Sequence, residues 1–151
     1  MTIYIAADHR GFNLKNHLQN YLLALDYQVE DLGAARLTPD DDYPDYAFPL
    51  AQKVAQDKDS RGIIICGSGV GVDIAANKVK GVRCGLGFSE KQVAASRRDD
   101  DINILALAAD YVTPEKAEQL VTAFLNTQFD PQPAHKRRLN KIAQYESSPT
   151  H

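Results

Sequence analysis

At 151 residues the chain is long enough for one domain with a sizeable core. Hydrophobic residues make up 44% and charged residues 25%, the balance of a soluble globular protein, and the net charge of -3 gives no global reason to expect nucleic acid or an anionic membrane as partner. No apolar run approaches a membrane span, and the start, "MTIYIAADHRG", does not read as a signal peptide. Cys66 and Cys84 make neither a metal-binding spacing nor a disulfide framework, so a reduced, cytoplasmic protein is expected.

"TIYIAA" (2–7) predicts a first strand. Leu14, Leu18, Leu22 and Leu25 then repeat at helical spacing beside Phe12 and Tyr21. "YQVEDLG" (27–33) predicts a second strand ended by glycine, and "LTPDDDYPDY" (37–46) a loop. Ala47, Leu50, Ala51 and Val54 mark a second helix with Pro49 in its first turn. "GIIIC" (62–66) has the β-branched run of a buried parallel strand, followed by a short helix over 71–79. "GVRCGLGF" (81–88) predicts the fourth strand, and Ser89 caps a helix through Ser96. "NILALAA" (103–109) predicts the fifth strand. Thr113, Pro114 and Glu115 open a helix over 113–129. A basic helix over 134–146 closes the chain, with 147–151 as a frayed tail. Five strands alternating with helices define an α/β protein: one parallel sheet covered on both faces, in a single domain over 1–151 with no repeat or linker.

Ligands in such sheets bind at the carboxyl ends of the strands, so the residues just past each strand matter most. These are Asp8, His9 and Arg10, then Asp42 and Tyr43, then Cys66 with "GSGVG", then Asp110. The polar residues Ser96 to Asn103, just before the fifth strand, are expected on the same edge. The three glycines of 67–71 let backbone N–H groups face a ligand, which suits a phosphate or a developing oxyanion. Residue type and position leave two readings of Cys66: a small apolar strand end, or a base or nucleophile. "GSGVGVD" has no G-x-G-x-x-G frame, and no Walker lysine follows it. Asp8 and His9 either cap the first helix or serve the site. Asp99, Asp100 and Asp101 are either a solvated acidic turn or functional, and "HKRR" (135–138) is either a solvated helix face or an anion holder.

"ADHRGFNLK", "DYPDYA", "ICGSGVGVDIAANKVKGVR" and "HKRRLNKI" together make the chain resemble the ribose-5-phosphate isomerase B family, which also includes the galactose-6-phosphate isomerase subunits. The resemblance spans nearly the whole chain. It implies a Rossmann-like doubly wound domain that forms a homodimer, or a dimer of dimers, with active sites shared across the interface. It implies aldose–ketose isomerisation of a sugar phosphate, with no metal or organic cofactor. Cys66 matches the family's catalytic base. Ser68 and the amides of Gly67, Gly69, Val70 and Gly71 match the cradle for the enediolate oxygen. Asp8 and Tyr43 match residues that hold the sugar, and His9 one near the phosphate. Arg138 matches a phosphate-binding arginine, and Asn103 the asparagine of the family's "HNDxN" block.

The departures are equally specific. Asp99 stands where the family has a histidine that helps open the sugar ring, and is the candidate ring-opening group here. Asp110 and Ala134 stand where arginines are expected. Lys136, Arg137, Arg97 and Arg98 are candidates to restore the lost positive charge. Besides ribose 5-phosphate isomerisation, these changes leave open an isomerase for another sugar, including one without phosphate, and a non-catalytic binding protein.

Overall fold

The computed structural model describes residues 1–148. Five strands, β1 (Thr2–Ala7), β2 (Gln28–Asp31), β3 (Arg61–Cys66), β4 (Cys84–Leu86) and β5 (Ile104–Ala108), form one wholly parallel sheet in the order β2-β1-β3-β5-β4. The helices are α1 (Phe12–Ala24), α2 (Pro44–Gln56), α3 (Val70–Ala76), α4 (Glu90–Asp100), α5 (Pro114–Asn126) and α6 (Pro133–Glu146). The strand order turns back between β1 and β3, which opens a crevice at their carboxyl ends. None of the helices among the described residues is long and apolar enough to cross a membrane.

The strand alternation builds two cores. Ile3, Ile5, Ile63, Ile65, Leu105 and Leu107 face one side of the sheet, against Leu18 and Leu22 of α1 and Leu120 and Phe124 of α5. Ala6, Ile64, Cys66, Ile104 and Ala106 face the other, against Leu50, Ala51 and Val54 of α2 and Val72 of α3. Burial on both faces explains why the strands read as continuous apolar runs.

Several local expectations need correction. α2 begins at Pro44, inside the expected loop, because proline suits the first helical position and Tyr43 O accepts the N–H groups of Tyr46 and Ala47. Pro49 therefore lies in the helix interior, not its first turn. α4 runs on past Ser96, so Asp99 and Asp100 are helical, and Asp101 ends the helix at φ 48°. The strand expected over 81–88 shortens to an edge strand of three residues, and α5 stops at Asn126. Of the expected frayed tail, residues 149–151 lie outside the described residues.

Lys15 of α1 is 1% exposed and ion-paired to Asp31 at the end of β2, with its ammonium 5.3 Å from the Phe12 ring centroid. Asp31→Ala would strand a buried cation. We expect it to cost about 3–5 kcal/mol, seen as a lower urea midpoint with an unchanged m-value.

Candidate active site

The strand ladder continues past the sheet and sets the crevice. Asp8 N–H donates to Ile65 O at 3.3 Å, Ala109 N–H to Cys66 O at 2.9 Å, and Asp110 N–H to Gly67 O at 3.0 Å. Residues 8, 66–67 and 109–110 are thereby laid side by side. Asp8, Arg10, Tyr43, Cys66, Ser68 and Asp110 line a crevice of about 250 Å³, with Gly67, Gly71 and Tyr111. Cys66 is 5% exposed, and its side chain shares the face packed by α2 and α3.

The glycine turn has two separate requirements. Gly69 has φ 74°, and a Cβ there would sit 2.5 Å from Leu86 Cδ1. A Cβ on Gly71 would meet the Tyr43 ring at 2.8 Å, so the bare backbone lets Tyr43 lie against the turn. Ser68 Oγ accepts the N–H of Val70 at 3.4 Å.

Asp8 serves the turn into α1 and the crevice together. Its Oδ1 accepts the N–H groups of Arg10 and Gly11 at 3.0 and 3.1 Å. Burial pushes its carboxyl pKa up against those two bonds. His9 is held by Asp41, whose Oδ1 accepts from His9 N–H at 2.8 Å and lies 2.7 Å from Nδ1. A carboxylate accepts only, so Nδ1 carries the proton and Nε2 is left for a ligand. The Asp41 bond raises the imidazole pKa, outweighing partial desolvation. Burial pushes Asp41 up, but the bonds from His9 and Tyr46 together hold it below the usual carboxylate value. Asp41 escaped sequence reading because it sits in a run of three aspartates. Only the path of the loop separates it from Asp42, whose carbonyl accepts the Asp45 N–H. At the other lip, Arg10 Nη2 donates to Asp110 Oδ2.

Asp99, Asn103 and Arg138 are not brought into this crevice. α4 runs back from the carboxyl edge to the amino edge, and β5 starts there: Gly62 pairs with Ile104, while Cys66 pairs with Ala108. The expectation that 96–103 shares the edge of Cys66 is therefore corrected, since about 16 Å of strand separates them. Asn103 Oδ1 accepts Arg83 N–H at 2.8 Å and its Nδ2 donates to Gly81 O at 3.0 Å, so its side chain ties the start of β5 to the chain entering β4. Asp99 accepts from Arg98 Nε and Nη2 at 2.8 and 3.3 Å and lies 3.9 Å from His135 Nε2 of α6. Asp101 instead pairs with Arg83 and Arg97, so the three aspartates do not form one cluster. Arg97 is 3% exposed, and its guanidinium serves Asp101, Ile102 O and Thr127 O, which removes it from the candidate anion ligands. Arg138 is exposed on α6.

A thiol at the switch point of a doubly wound sheet, set against a glycine turn and flanked by buried Asp8, defines an α/β enzyme with its site at the carboxyl edge. The family model described as Ribose/Galactose Isomerase matches residues 3–142. The chain is 46% identical to the probable ribose-5-phosphate isomerase B of Mycoplasma pneumoniae over 144 residues, 95% of this chain and 94% of that protein. The crystal structure of ribose-5-phosphate isomerase B from Mycoplasma genitalium with bound ribulose-5-phosphate superposes with a TM-score of 0.93 at 43% identity, covering 97% of each chain. The type B ribose 5-phosphate isomerase of Trypanosoma cruzi gives 0.93 at 32% identity, covering 100% of both chains. The chain belongs to the ribose/galactose isomerase family, and is an isomerase of the intramolecular oxidoreductase kind.

Proposed function

We propose that the chain interconverts ribose 5-phosphate and ribulose 5-phosphate, with Cys66 as the base. The observation that carries this reading is the Cys66 thiol against the glycine turn in the crevice that also holds Asp8, Tyr43 and Ser68. In the aldose the C2–H bond breaks and Cys66 takes the proton. The electron pair forms the C1=C2 bond, and charge moves to O1. Ser68 and the amides of Gly67, Gly69, Val70 and Gly71 stabilise that oxyanion. Cys66 returns the proton to C1, O2 passes its proton to O1, and C2 becomes the carbonyl. Asp8 and Tyr43 hold the sugar, and His9, whose imidazole pKa the Asp41 bond raises, faces the phosphate end.

Asp99 and Arg138 enter as residues of a second copy. One chain keeps them at the amino edge, so a homodimer with shared sites is what delivers them to Cys66. There Asp99, with His135 beside it, takes the ring-opening position. Asn103 lies at the same edge and ties the start of β5 to the chain entering β4.

Asp110 on the lip of the crevice favours one further reading, in which another sugar, phosphorylated or free, is the substrate. Side-by-side kinetics with phosphorylated and free pentoses and hexoses decide between them. We expect ribose 5-phosphate to show the highest kcat/KM. Turnover of free sugars alone would overturn the phosphate assignment.

A further inference from the structure

We propose that Arg10 binds the anionic group of the substrate, supplying the cation that the family pattern places at position 110. The inference rests on the sugar-phosphate reading of the site. Arg10 lines the Cys66 crevice, and its position is fixed twice. Its backbone N–H donates to Asp8 Oδ1 at 3.0 Å, and its Nη2 donates to Asp110 Oδ2. Asp110 is itself fixed through its N–H bond to Gly67 O at 3.0 Å. That single bond to Asp110 leaves Nε and Nη1 without a partner among the described residues. The Arg10 side chain is 58% exposed, so its open edge meets a ligand at little desolvation cost.

Two further observations fit a built arrangement. A Cβ on Gly67 would lie 2.6 Å from Arg10 Nε and 2.8 Å from Asp110 Oδ2, so bare backbone makes room for the pair beside Cys66. Charge balance points the same way. The crevice holds two carboxyl groups, Asp8 and Asp110, and Arg10 is the cation lining it. Arg10 offsets one of these two carboxyl groups, so without it an incoming phosphate dianion would meet a more negative lining. The aspartate at 110 thus keeps a guanidinium at this lip by pairing with it across 100 positions of sequence.

Ribose 5-phosphate kinetics and the inhibition constant of inorganic phosphate, measured on the wild type, Arg10→Ala, Arg10→Lys and Arg10→Ala/Asp110→Arg, test this. One lost charge-assisted contact corresponds to about 10- to 100-fold. Arg10→Ala is expected to raise KM and the phosphate inhibition constant by that factor, with kcat changed less and the melting temperature little altered. Arg10→Lys should keep part of the affinity, and the swap variant should regain part of it. Unchanged KM and phosphate affinity in Arg10→Ala would overturn the proposal, as would a fall in kcat alone. If the wild type fails to turn over ribose 5-phosphate, the ribose 5-phosphate reading is what falls. Calorimetric titration of inorganic phosphate into wild type and Arg10→Ala then still decides the role of Arg10.

Discussion

Cys66→Ala is expected to lower turnover of ribose 5-phosphate by about 10²- to 10⁴-fold, the range a positioned acid–base group contributes. Substrate affinity should change little. Asp8, Tyr43 and Arg10 hang from other elements, and the bonds that hold Asp8 and Arg10 join them to each other, to Gly11 and to Asp110, not to the sulfur. Stability should also change little, because Cys66 is small, ends its strand and borders the crevice. The separation of effects is the point. A packing role would show as a lower melting temperature with turnover nearly kept, since a cavity weakens the fold before it touches the chemistry. Cys66→Ser keeps the size but offers a far weaker base, so it should stay close to alanine in kcat and close to wild type in melting temperature. Exchange of the C2 hydrogen with deuterated solvent, followed by NMR, reads the proton step directly and should vanish with the sulfur. Turnover and exchange at wild-type levels in Cys66→Ala would remove the thiol from the mechanism.

What the residues revealed beforehand, and what they hid, follows from geometry. Side chains just past parallel strands must share one edge, so Asp8, Tyr43, Cys66 and Ser68 are legible as neighbours in the sequence. The same rule misled for Asp99 and Asn103. They come just before a strand, and a helix that returns antiparallel to the sheet delivers them to the opposite edge. The strand order was hidden too, because β4 has only three residues and no periodicity says that it lies outside β5. The length of α4 was hidden by its chemistry. Past Ser96 its residues are all charged, so the apolar rhythm stops while the helix continues, held by Arg97 on Asp101 and Ile102. Pairings such as His9 with Asp41 and Arg10 with Asp110 depend on loop paths that carry no pattern.

Mixing two inactive variants, Cys66→Ala and Arg138→Glu, is expected to recover about a quarter of wild-type activity, because a two-fold dimer has two equivalent shared sites. Cys66 sits at the carboxyl edge of the sheet, and the last turn of α4, against which α6 begins, lies at the amino edge. If Arg138 serves the Cys66 crevice, it serves that of another copy. Each homodimer of a single variant then has one lesion in both of its sites. In a heterodimer both lesions fall in one site and the other is intact. Random pairing makes half of the dimers mixed, and half of their sites work. The glutamate at 138 replaces attraction by repulsion, so that parent should be nearly inactive with its fold kept, since Arg138 is exposed. Co-refolding differently tagged variants and isolating the doubly tagged dimer makes the measurement clean, with sedimentation reporting the oligomer. Sites contained within one chain predict a mixture that stays inactive, because every chain would carry a lesion. That result, or an active monomer, would overturn the shared site and return Arg138 to the solvated face of α6.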